Sequence, residues 1–287
     1  MCVAGAAPSH LYIVGGEGAF ATPLKTVQRV AVTGEQMSVL LDIPLQDTAI
    51  RAAVALDPVT GVLYVTGGWD TESKVWAVDV RSGEWRSLPP LNQGRWAHCC
   101  FILDGHLCVV AGLGDGHRYL SDMEVLDLHS PNAVWQPGPP PLEAVSGAAA
   151  CTTTRGVLLT GGLTSPGKSS RMVSLLDAIS GEWTPRQDML KGRCYHSMAS
   201  DGHRAWCVGG IGESSCEEYN LTTDTWTSIT PLPGWRTWTG EYNFVLLHIS
   251  SRYNTLCTLS HSNRIYLHNM EIYGHNMEIY GHNMEIY

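Results

Sequence analysis

The feature that most constrains this chain is a small-residue doublet that returns five times, each time after a short apolar run. The runs are LYIVGG ending at Gly16, LYVTGG at Gly68, LCVVAG at Gly112, LLTGG at Gly162 and WCVGG at Gly210. Successive doublets stand 44 to 52 residues apart, enough chain for one four-stranded sheet per repeat. A second marker keeps step. Trp85, Trp135, Trp183 and Trp226 follow a doublet by 16 to 23 residues, and ten residues beyond each comes Arg95, Val145, Arg193 or Arg236. Sixteen residues beyond the first three of these lie Ala111, Gly161 and Gly209, which open the next doublets, and Arg51 precedes Gly67 by the same sixteen. Two constant spacings with one variable gap between them mark a true repeat.

Each marker has a physical reading. A short apolar run bounded by turn signals (Asp104-Gly105, Arg155-Gly156, Asp201-Gly202) reads as a buried strand that follows a hairpin. Glycines at its end permit positive φ and close backbone approach. The segments KVWAVDV, SDMEVLDL, RMVSLLDA and SCEEYNL read as third strands. Turns carrying Asp79, Asp127, Asp177 and Asn220 follow, and Trp then opens a fourth strand, offering a large apolar face to the neighbouring sheet.

The doublet, the aromatic-x6-Trp pattern from Tyr219 to Trp226 and the Arg-x-x-His pattern (Arg95 to His98, Arg193 to His196) resemble Kelch repeats, over about residues 11 to 240. The segment RCYHSMASDGHRAWCVGGIGESSCEEYNLTTDTW is especially similar to a repeat of the animal Kelch-like (BTB-Kelch) proteins. The resemblance implies an all-β Kelch propeller of about five four-stranded blades, with an incomplete or degenerate sixth. The chain opens on the second strand LYIVGG, and Leu41 stands where the first repeat should have Trp. Register is lost after about Gly240, so the propeller is assigned to residues 1–247. Residues 248–287 hold a degenerate blade remnant and a tail of three HNMEIY copies joined by Gly274 and Gly281, a pattern without an a/d helical seam.

Composition narrows the function. The net charge of −9 leaves nothing spare to neutralise phosphates, so a nucleic-acid binder is not expected. No apolar run reaches the ~18 residues of a membrane span, and MCVAGAAPSH does not read as a signal peptide. Nine cysteines without a CxxC pair, several inside apolar runs, suit a reducing compartment and a cytoplasmic location.

Chemistry-bearing motifs are few. Gly162 to Ser169 matches G-x-x-x-x-G-K-S, but it leaves a doublet and runs into a strand rather than a helix, so it reads as a loop and not a phosphate cradle. His98 and His196 share one repeat slot and read as packing residues; Glu217 and Glu218 alternate faces and cannot act as a pair. No catalytic residues, cofactor or metal site are expected. Arg51, Arg95, Arg193 and Arg236 recur where an interblade connection enters a first strand. Each arginine could hydrogen-bond carbonyls of its own connection. Together they could instead form a positive rim suited to an acidic peptide. For Kelch proteins that bind degrons, the resemblance implies contacts just after the doublet and just after this arginine, here Trp69, Asp70, Trp96, Tyr195 and Trp238. It implies a protein-interaction scaffold, first of all the substrate-recognition module of a cullin-RING ubiquitin ligase adaptor whose docking would need a BTB domain in the parent. The alternatives are an actin-associated or other intracellular scaffold and, last, a propeller enzyme such as a sugar oxidase or epimerase.

Overall fold

Strands covered on both faces lose polar alternation and read as continuous apolar runs, and the runs before the doublets are of this kind. A computed structural model describes residues 50–57 and 59–231 throughout, together with strands at 2–5, 10–14, 26–33, 36–44, 245–249, 254–259, 265–273 and 276–283. Among the described residues there is no α-helix; one 3-10 turn spans Asp115–His117. The chain divides into two compact units, Met1–Ser146 and Gly147–Tyr287.

The first unit holds three four-stranded antiparallel sheets, each a meander. Its strands are β1 (Cys2–Gly5), β2 (His10–Val14), β3 (Thr26–Thr33) and β4 (Gln36–Pro44); β5 (Ala53–Asp57), β6 (Val62–Thr66), β7 (Val75–Asp79) and β8 (Trp85–Ser87); and β9 (Cys99–Leu103), β10 (His106–Val110), β11 (Met123–Asp127) and β12 (Gln136–Pro137). LYIV of the first apolar run supplies the second strand as read, but Cys2–Gly5 pairs ahead of it, so the sheet has a first strand that the repeat pattern did not reveal. Neighbouring sheets bury each other's faces. Leu63, Val65, Trp76 and Val78 pack with Tyr12, Val14 and Val27 of the first sheet. On the opposite face, Tyr64, Val75 and Ala77 pack with Leu107, Val109, Leu126 and Trp135 of the third. The indole N–H of Trp135 donates to the Pro89 carbonyl at 2.8 Å, so the repeat tryptophan also ties its sheet to the connection leaving the previous one.

The second unit repeats the scheme. Its first sheet is β13 (Ala149–Thr153), β14 (Gly156–Thr160), β17 (Val173–Asp177) and β18 (Trp183–Pro185), with a small hairpin of β15 (Leu163–Ser165) and β16 (Lys168–Ser169) inserted after the doublet. Next come β19 (Ser197–Ser200), β20 (Arg204–Val208), β21 (Cys216–Asn220) and β22 (Thr225–Ile229). Leu158, Val173, Leu175 and Met189 pack with Ala205, Cys207, Tyr219 and Trp226, and the Trp226 indole donates to the Gln187 carbonyl at 2.9 Å. A last sheet contains β23 (Val245–Ile249), β24 (Asn254–Leu259), β25 (Ile265–Tyr273) and β26 (Asn276–Asn283), in which one HNMEIY copy pairs antiparallel with the next. Six four-stranded sheets therefore stand among the described residues, where the doublets marked five.

Candidate binding surface

The arginine slot is where the structure differs most from the sequence expectation. Arg95 is fully buried. Its guanidinium donates to the Ala111 carbonyl at 3.1 Å, to Asp122 at 2.6 Å and to Glu124 Oε1 at 2.6 Å. Glu124, on β11, also accepts the backbone N–H groups of Asn92 (2.8 Å) and Gln93 (3.1 Å) in the connection that carries Arg95. The second unit repeats this arrangement. Buried Arg193 donates to the carbonyls of Gly209 (2.7 Å) and Ser215 (2.8 Å) and pairs with Glu217, which in turn accepts the N–H groups of Leu190 and Lys191. The Arg95 and Arg193 carbonyls meanwhile accept the N–H of Gly68 and Gly162 from the preceding sheet. Backbone to one sheet and side chain to the next, each arginine staples two sheets together. Neither is a cation on a rim, and their acceptors are the doublet carbonyl, a strand carboxylate and the residue just before that strand (Asp122 or Ser215) rather than the arginine's own connection. Sequence reasoning missed Glu124, and it separated Glu217 from Glu218 correctly by face while overlooking Arg193 as its partner.

Arg51 does not belong to this slot. The first-strand residue opposite the last residue before the doublet is Cys99, Ala149 or Ser197, each four beyond Arg95, Val145 or Arg193. In the second sheet it is Ala53, only two beyond Arg51. The β5–β6 hairpin is two residues longer than its counterparts, and the extra length restored the sixteen-residue spacing by coincidence. Arg51 instead shares its position, and its left-handed backbone (φ 53°), with Ala97 (50°), Gly147 (62°) and Tyr195 (50°).

This displacement brings Arg51 into an aromatic cluster in the first unit. Its guanidinium carbon lies 4.9 Å from the centroid of the Trp96 ring. Trp69, held by an N–H bond to the Ile50 carbonyl, meets Trp96 edge to face at 5.0 Å. His117, from the 3-10 turn in the β10–β11 connection, stacks on Trp69 at 6.0 Å and meets Trp96 edge-on at 5.8 Å. Trp96 is buried beneath, whereas His117 is exposed and Trp69 is 39% exposed. Asp70 borders the cluster, exposed and with φ 65°. Four side chains from separate connections thus present one aromatic surface edged by a cation. Left-handed backbone at Arg51, Asp70 and His117 (φ 59°) costs roughly 1–2 kcal/mol per residue, a strain that the surrounding sheets hold in place. His117 carried no repeat signal, because the doublet-to-third-strand loop is the variable part of the repeat.

In the second unit Tyr195 is half-buried, its N–H bonded to the Gly147 carbonyl at 2.6 Å. Arg236 and Trp238 lie outside the described residues. His98 and His196 are buried, their Nε2 atoms 2.8 and 2.9 Å from Thr66 and Thr160 of the preceding sheet. Burial, with the nearby arginine charge adding to it, holds both imidazoles below their ordinary pKa, that of His196 at about 3. Neither is poised for acid–base work near neutrality. Among the described residues no group of three or more His, Cys, Asp or Glu side chains could hold a metal ion.

The Kelch motif matches residues 51–92 and 192–233. Kelch-like protein 35 of Mus musculus is 28% identical over 172 residues, 60% of this chain and 29% of the relative. Kelch-like protein 34 of Homo sapiens is 28% identical over 168 residues, 56% of this chain and 26% of the relative. Kelch-like protein 6 of Homo sapiens reaches 31% over 101 residues, 35% and 16% respectively. The chain thus spans less than a third of the length of these relatives. The solved structure of YjhT superimposes with a TM-score of 0.76 at 13% identity over 96% of both chains, a likeness of fold alone. The chain carries Kelch repeats resembling those of Kelch-like proteins, and its fold is the all-β Kelch propeller fold built from four-stranded sheets.

Proposed function

We propose that this chain is a non-catalytic protein-interaction module that grips a target segment on the Trp69–Trp96–His117 cluster and Arg51. The observation that carries the reading is the half-open indole of Trp69 resting on buried Trp96 beside a guanidinium. Rigid aromatic rings next to arginine give large contact area at little entropic cost, the composition of interface hot spots. Arg95 and Arg193 are occupied inside the sheets, so neither offers its charge to an acidic target. The segment that fits carries an apolar or aromatic side chain to pack on Trp69. By likeness to the Kelch-like proteins, the role is substrate recognition for a cullin-RING ubiquitin ligase in the cytoplasm. Cys108, Cys151, Cys194 and Cys207 are in no disulfide, in keeping with a reducing compartment.

The test is capture from cell extract with wild-type chain and Trp69→Ala. Target carrying ubiquitin chains recovered with wild type, and target recovery reduced about 30-fold or more by Trp69→Ala, are expected for a hot spot of 2 kcal/mol or more. Filament proteins without ubiquitin chains as the recovered target would overturn the adaptor role. Undiminished target recovery with Trp69→Ala would remove the site.

A further inference from the structure

The phosphate-cradle look-alike has a different chemistry available to it. In its strands β15 and β16, Ser165 pairs directly with Lys168, leaving Pro166 and Gly167 as the tip. Gly167 has φ +74° with nothing within 4 Å of where a Cβ would stand, the pattern of a Pro-Gly type II turn in open solvent. Pro166, Gly167 and Lys168 are exposed and Ser165 is half-buried. This two-strand insert is short and forms its own sheet beside the four-stranded one, so its tip opens locally at low cost.

We propose that Ser165 is a phosphorylation site for a proline-directed serine/threonine kinase that selects a cation three residues beyond the acceptor. The physical basis is twofold. Proline brings no N–H, so a kinase pocket that cannot satisfy a backbone donor after the acceptor accepts Pro166 and penalises other residues. Lys168 supplies the charge that an acidic kinase surface uses for selection. The chain has five Ser/Thr-Pro dipeptides, at Thr22, Ser130, Ser165, Thr184 and Thr230, and only Thr22 and Ser165 have a cation at the third position, Lys25 and Lys168. Thr22 lies outside the described residues. Thr184 sits inside β18, its hydroxyl donating to the Leu175 carbonyl at 3.3 Å. Ser165 is therefore the one described position where dipeptide, cation and accessible turn coincide.

In the step, the Ser165 hydroxyl passes its proton to the kinase's general base as its oxygen bonds to the γ-phosphorus of ATP; the bond to the β-phosphate oxygen breaks and ADP leaves with that electron pair. The new dianionic group faces Lys168 across the hairpin, where a charge-assisted hydrogen bond can form. The site also adjoins the connection carrying Tyr195, since the Ser169 hydroxyl lies 3.5 Å from Cys194 Sγ. The folded chain, incubated with Mg-ATP and a kinase of this specificity, is expected to take a phosphoryl group on Ser165, located by fragment mass spectrometry. Ser165→Ala should abolish that label. Lys168→Ala should slow it by roughly tenfold, equivalent to about 1.4 kcal/mol. No label on Ser165, label on Ser169 or Ser170 instead, or a rate indifferent to Lys168→Ala would overturn the assignment.

Discussion

Glu124 and Glu217 each hold an arginine and two backbone N–H groups inside the protein, so both charges of each pair are paired and hydrogen-bonded. In the fourth sheet the two slots hold Val145 and Ser174, the latter opposite Leu159 just as Glu217 is opposite Cys207. Removing one member of either Arg–Glu pair would strand a buried charge. Glu217→Ala should therefore destabilise the chain by about 3–5 kcal/mol, and the double change Arg193→Val with Glu217→Ser should recover most of that loss. Urea unfolding midpoints of the two variants check this; a double variant no more stable than the single would contradict it. The arginines were legible in sequence because their spacing is constant. Their partners were not, since pairing Glu217 with Arg193 requires knowing which face of β21 meets which connection.

Within each sheet, the glycine doublet is the element that positions everything else. The left-handed turn at Gly161 (φ +59°) brings the backbone so close to the following connection that a Cβ would lie 2.4 Å from the Arg193 carbonyl oxygen and 2.8 Å from the His196 ring. Gly181 has a similar φ of +71° in a surface turn with nothing within 4 Å. Substituting alanine at Gly181 should cost about 1 kcal/mol, the strain of a positive φ, whereas Gly161→Ala should cost clearly more because backbone must also move. Thermal or urea unfolding of the two variants compares them, and equal losses would refute the close-approach argument. The strands and turns around the doublet were readable from local chemistry: Asp79, Asp177 and Asn220 each accept two backbone N–H groups in the turn that follows, as short polar side chains do. The β5–β6 hairpin was not, because its two extra residues were hidden by a preserved Arg-to-Gly count.

For the molecule as a whole, buried neutral histidine couples stability to pH. Above its ordinary pKa of 6.5, His196 is neutral whether the chain is folded or not, and its contribution is complete. As pH falls toward about 3, the unfolded chain binds the proton and the folded chain does not, so stability is lost by about 1.4 kcal/mol per pH unit for each such histidine. His98 acts in the same direction. Unfolding midpoints at pH 7 and pH 5 should fall steeply for wild type and less steeply for His196→Gln; equal slopes would exclude this coupling. The repeat, its strands and the all-β class were determined by sequence alone, because hairpin turns, two-sided burial and interlocking tryptophans impose local residue types that recur at countable intervals. Tertiary structure decided which arginines are buried staples and which one reaches an aromatic surface. That depends on hairpin length and on a histidine from a variable loop, whose neighbours are distant in sequence and set only when the sheets pack.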